Sequence, residues 1–183
     1  MIARTEFRAV PDEFTLRGRQ IRGHAAVFNS LSLDLGGFRE IIAPGAFSGV
    51  LKDDVRALIN HDDNLVLART KSGTLSVRED SIGLAVEINL ADQSYARDLA
   101  ISLERGDVSQ FSFGFYVGRD RWATDQTGAA VRTVLEVSQL LDVSVVTYPA
   151  YPAAADATLR GRQMSTAEDW HRRQQMWLLA QAQ

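Results

Sequence analysis

Residues 110–118 read Gln-Phe-Ser-Phe-Gly-Phe-Tyr-Val-Gly, and this alternation marks a β-strand with two unlike faces. Phe111, Phe113, Phe115 and Val117 share one face, which must be buried against a second apolar layer. Ser112, Gly114 and Tyr116 share the other, which is nearly bare around the serine. Up to about Pro152 the rest of the chain is similar in kind: short segments rich in β-branched and aromatic residues, separated by Gly, Asn and Asp. Strands are predicted at 20–28, 55–60, 73–78, 83–90, 108–118, 131–137 and 141–148. With only two helical interruptions, that set predicts a mainly β fold, a barrel or a strongly curved sheet with flanking helices.

The first interruption follows Pro44, where Ala46, Phe47, Val50 and Leu51 recur at helical spacing. The second spans 92–104, with Tyr95, Ala96, Leu99, Ala100 and Leu103 as its stripe, Asp92 as the expected cap and Gly106 as the expected stop. From Ala153 the composition shifts. The organisation expected is a domain over 1–152, a linker over 153–165 and an amphipathic C-terminal helix over 166–183 carrying Trp170, Met176, Trp177 and Leu178. No internal repeat interrupts this plan.

Composition narrows the chemistry. Twenty Lys+Arg against 23 Asp+Glu, with no basic run, disfavour nucleic-acid binding. The absence of cysteine removes disulfides, thiolate metal sites and a cysteine nucleophile, and fits a reducing, cytoplasmic setting. No apolar run approaches membrane-spanning length, and Arg4, Glu6 and Arg8 argue against a signal peptide at the start. The three histidines lie too far apart for a metal-ligand motif, and no glycine-rich phosphate loop is present, so no metal or organic cofactor is expected.

Each chemistry-bearing residue has two readings on its own. His24, inside an apolar strand, reads as a histidine satisfied within the core, and His171 as a solvated helix residue. His61 ends the apolar run 55–60 and opens the polar cluster Asp62-Asp63-Asn64; it is either a solvated loop histidine or a general base. Ser112 is either an ordinary strand serine or a nucleophile on a face cleared for a peptide backbone. Asp142 interrupts Leu140-Leu-Asp-Val-Ser-Val-Val146, and a carboxylate buried there requires a partner, for which a histidine would serve. Glu136 makes a weaker version of the same case from a strand with a more even alternation. Together they supply a nucleophile, a proton acceptor and an orienting acid, in the order His, Ser, acid. That order and the lack of Gly-x-Ser-x-Gly exclude the familiar serine hydrolase folds.

Several short motifs stand in one register: Gly23-His-Ala-Ala-Val-Phe-Asn29, Ile42-Ala-Pro-Gly-Ala-Phe47, Asn60-His-Asp62, Leu67-Ala-Arg-Thr70, Arg105-Gly-Asp107, Ser112-Phe-Gly-Phe115, Asp142-Val-Ser-Val-Val-Thr147 and Pro149-Ala-Tyr-Pro152. Over about residues 4–152 the chain thereby resembles the prohead (capsid maturation) serine proteases of tailed phages of the HK97 type. The resemblance implies that His61 and Ser112 are the catalytic pair. It also implies a closed seven-stranded β-barrel like that of the herpesvirus assembly proteases, whose third catalytic member Asp142 would replace; Glu136 stays the alternative acid on the strand pattern alone. Backbone N–H groups of Ala150 or Tyr151 are the implied oxyanion donors. The expected function is endoproteolysis of the major capsid protein and its scaffolding region, in the host cytoplasm inside the assembling prohead, by a homodimer without cofactor. The alternative is a capsid-assembly scaffold module of the same fold that no longer cleaves.

Overall fold

The computed structural model describes residues 5–10 and 15–147. Among them the chain runs β1 (Glu6–Val10), β2 (Thr15–Arg17), β3 (Gln20–Val27), β4 (Phe38–Ile42), β5 (Arg56–Ile59), β6 (Asp62–Arg69), β7 (Leu75–Glu79), β8 (Gly83–Asn89), α1 (Ser94–Glu104), β9 (Gln110–Thr124) and β10 (Ala130–Val146). Among the described residues the fold is mainly β, as the alternation predicts, with one α-helix where two helical interruptions are expected. The expected linker and C-terminal helix lie outside the described residues.

The closed seven-stranded barrel is not what forms. The strands make two open sheets, ordered β1-β9-β10-β5-β6, with β4 also on β10, and β2-β3-β8-β7. The reason lies in β10. It pairs antiparallel with β9 along one edge, while its other edge takes β4 and then β5, both parallel. That sheet therefore branches, and no ladder joins its outer strands β1 and β6 among the described residues. The strands expected at 131–137 and 141–148 are two parts of β10, because bulges between Val134 and Asp142 bend the ladder without ending it. β1, β2, β4 and β6 go beyond the sequence expectation. β6 opens on Asp62-Asp63-Asn64, whose polarity reads locally as loop.

The helix expected after Pro44 is a run of i to i+3 turns, with Ala46 N–H to Ala43 O, Ser48 N–H to Gly45 O and Val50 N–H to Phe47 O. Two competitors defeat the helix. Gly45 adopts φ +84, incompatible with continuing an α-helix. The backbone is also drawn to β10, with Ala43 N–H donating to Val134 O and Val137 N–H to Ala46 O. These turns thus fill the stretch of β10 edge between β4 and β5. The second helix forms as α1 and buries Ala96, Leu99 and Leu103. Gly106 follows it at φ +77, but its N-cap is Gln93, and Asp92 instead pairs with Arg97 and Arg19.

The aromatic face of β9 is the centre of the core that the two sheets share. Phe111, Phe113 and Phe115 are at most 1% exposed. Phe113 stacks on Phe115 at 4.9 Å and meets the edge of Phe47 at 5.6 Å. Burying each such ring contributes roughly 1.5–3 kcal/mol. Beside them, fully buried Glu40 of β4 accepts from Arg8 of β1 through Nε at 2.6 Å and Nη2 at 3.0 Å. Arg132 of β10 bridges Glu6, Glu40 and Asp120. This cluster secures β1 beside β9, where Glu6 to Val10 pair with Phe115 to Phe111.

Candidate active site

Because Phe111, Phe113 and Phe115 face the core, Ser112 and Gly114 must face the other way. The β9–β10 ladder sets Ser112 opposite Ser144 and Gly114 opposite Asp142. Partners in an antiparallel ladder share a face, so these four positions form a square on the far side of the sheet from the core. Ser112 and Asp142 occupy one diagonal. The other diagonal holds Gly114 and Ser144, which leave room above the square.

His61 arrives from a neighbouring hairpin. Ile59 of β5 pairs with Asp62 of β6, so Asn60 and His61 are the whole loop, at φ 51 and 58. A two-residue hairpin with both φ values positive follows the natural twist of its strands, and Asn accepts this conformation readily. Histidine at the second position replaces the usual glycine, at a cost of roughly 1–2 kcal/mol. The loop is tied to the end of β10: Asn60 N–H donates to Val145 O at 2.9 Å, and Asn60 Oδ1 accepts from Thr147 N–H at 2.9 Å.

The imidazole then spans the diagonal of the square. Nδ1 lies 2.6 Å from Asp142 Oδ1 and Nε2 lies 2.7 Å from Ser112 Oγ. An ionised carboxylate can only accept, so Nδ1 carries the proton and Nε2 accepts from the Ser112 hydroxyl. Ser144 Oγ donates to the same Asp142 Oδ1 at 2.6 Å. Ser112 and Asp142 are 3% and 5% exposed, whereas the His61 side chain is 20% exposed. The hydroxyl is thus linked through the ring to a buried carboxylate, and the ring keeps an opening to solvent. Such a chain can withdraw a proton from an attacking serine and hold the resulting imidazolium.

The sequence candidates divide cleanly. His61, Ser112 and Asp142 meet. Glu136 does not join them: its side chain is 58% exposed and lies against Arg119 at 3.7 Å. Its place opposite Arg119 on the outer part of the β9–β10 ribbon accounts for this. Ala150, Tyr151 and His171 lie outside the described residues. His24 is satisfied by Asp80, at 3.0 Å from Oδ2. Among the described residues no group of three or more His, Asp or Glu side chains could hold a metal ion. Two residues at the site escape the sequence reading. Ser144 stands two positions after Asp142 and so on the same strand face, and Asn60 is a favoured residue for positive φ; both signals are present in the chain.

The family described as Caudovirus prohead serine protease matches residues 6–169. Among solved structures, the bacteriophage T4 capsid assembly protease, gp21, is similar in fold, with a TM-score of 0.54 and 11% identity, over 81% of this chain and 100% of that chain. No curated protein matches the sequence.

Proposed function

The chain belongs to the caudovirus prohead serine protease family, and on that premise we propose that it is a serine endopeptidase that cleaves capsid and scaffold polypeptides as a phage prohead matures. The observation that carries this reading is the hydrogen-bonded chain from Ser112 Oγ through His61 to Asp142, at 2.7 and 2.6 Å. Ser112 attacks the scissile carbonyl while Nε2 of His61 takes its proton. The same nitrogen then delivers that proton to the leaving amine, giving an acyl-enzyme that water hydrolyses by the reverse sequence. Asp142 keeps Nδ1 protonated and stabilises the imidazolium. Ser144, donating to Asp142 Oδ1, holds the carboxylate in line with the ring.

The substrate in this reading is the major capsid protein with its scaffolding region, inside the prohead in the host cytoplasm. The similar T4 protein is a capsid assembly protease, which supports a substrate of that class. A second copy of the chain is the other proposed partner. Co-expression of the protease, or of its Ser112→Ala variant, with the cognate capsid subunit tests the reading on one gel. Shortened capsid subunit with the unaltered chain and full-length subunit with Ser112→Ala is the expected result. An uncleaved subunit in both would instead support an assembly module without peptidase activity.

A further inference from the structure

We propose that Asp53 is a positioning residue for the Ser112–His61–Asp142 chain, because its carboxylate holds the bulge in β10 that turns Asp142 onto the site face. The kinetic part of this inference rests on the function proposed above; the structural part does not.

Leu140 pairs with Phe115 and is 1% exposed, so it faces the core. In a regular strand Asp142, two residues on, would share that face and push a carboxylate among the phenylalanines. The ladder instead advances one residue on β9, from Phe115 to Gly114, and two on β10, from Leu140 to Asp142. Leu141 is the extra residue, and the slip it introduces puts Asp142 opposite Gly114 and Ser144 opposite Ser112.

A bulge needs support, since it takes backbone groups out of the ladder. Parallel pairing with β5 begins at Asp142, opposite Arg56, so Leu140 lies beyond the start of that ladder. Oδ2 of Asp53 takes the Leu140 N–H at 2.9 Å. Asp53 is itself fixed: its N–H donates to Val50 O at 3.0 Å, and Thr70 Oγ1 donates to its carbonyl at 2.8 Å. The residue therefore stands where the turn run enters β5, the strand whose other end carries Asn60 and His61. One side chain couples the start of the His61-bearing strand to the bulge that aims Asp142.

The test uses the full chain and two readouts. Nuclear magnetic resonance follows the His61 Nδ1 proton, which a hydrogen bond as short as 2.6 Å to a carboxylate should shift to low field. A peptide assay follows kcat and KM. Asp53→Ala should erase the low-field resonance and lower kcat by about tenfold or more, with KM within about twofold. Asp53→Asn keeps a carbonyl oxygen as acceptor and should restore both the resonance and kcat. The proposal is overturned if Asp53→Ala keeps the resonance and kcat while only its melting temperature falls, or if Asp53→Asn is as impaired as Asp53→Ala. Should Asp53→Ala not fold, hydrogen exchange in the unaltered chain decides: protection at the Leu140 amide supports the contact, and exchange as fast as in exposed loops overturns it. If the unaltered chain shows the resonance but cleaves nothing, it is the peptidase reading that fails.

Discussion

Gly114 faces Asp142 across the β9–β10 ladder, and the imidazole of His61 joins Asp142 to Ser112, the residue two places before that glycine. A side chain at position 114 would rise from the same face as both partners of the ring. Gly114→Val should therefore displace His61 while suiting the strand, giving a folded protein whose activity falls by about a hundredfold or more. Circular dichroism beside a peptide assay checks this. Activity within about threefold of the unaltered chain would show that the ring does not need that space.

Ser112 and His61 are proposed to act as one unit. Ser112→Ala and His61→Ala should each reduce cleavage to a similar residual rate, and the double variant should be no slower than either. Single-turnover assays on the three proteins provide the comparison. Additive losses would separate the two residues.

The acids are distinguished by where they lie. Asp142→Asn should lower kcat by a factor of about ten to ten thousand, the upper end being what a wrong histidine tautomer costs in a comparable site. Glu136→Gln changes an exposed side chain 3.7 Å from Arg119 and should leave kcat within about twofold. Steady-state kinetics on one peptide ranks them, and the opposite ranking would transfer the orienting role to Glu136.

Glu40 bears on stability. It is fully buried and accepts from Arg8 and Arg132, so Glu40→Ala leaves two cations short of their partner. A loss of about 3–5 kcal/mol is expected, the usual consequence of breaking a buried ion pair from one side. Urea unfolding measures it. A loss below about 1 kcal/mol would show that water or a neighbouring acid replaces the carboxylate.

Acid stability depends in part on Asp80. Its carboxyl is held well below the usual carboxylate range, first by the hydrogen bond to His24 and then by the backbone N–H groups of Gly83 and Ile82, against an opposing effect of burial. A group whose folded pKa lies below its unfolded value, about 3.9 for Asp, stabilises fully above that value and loses the contribution as pH falls below it. Urea midpoints between pH 6 and pH 3 should therefore fall less steeply for Asp80→Asn than for the unaltered chain. Equal slopes would remove Asp80 from the acid response.

The chain itself determines that a strand at 110–118 has an aromatic face and a bare face, because side-chain alternation is a local property. It also shows that Asp142 must find a partner, since an acid inside an apolar strand is costly wherever that strand packs. What it leaves open is every relationship that depends on which strand lies beside which. The two apolar runs of β10 read as separate strands, for nothing local reveals that β9 continues to Thr124 and carries both in one ladder. The turns after Pro44 read as a helix, for the carbonyl and amide on β10 that compete for Ala43 and Ala46 are about 90 residues away in sequence. The polar start of β6 reads as loop, although it closes a two-residue hairpin that holds His61 at positive φ. The face on which Asp142 emerges turns on the single extra residue Leu141, and its bulge exists only between β9 and the carboxylate of Asp53. Alternation is written along the chain; register and closure arise from hydrogen bonds between distant segments, and only the tertiary structure decides them.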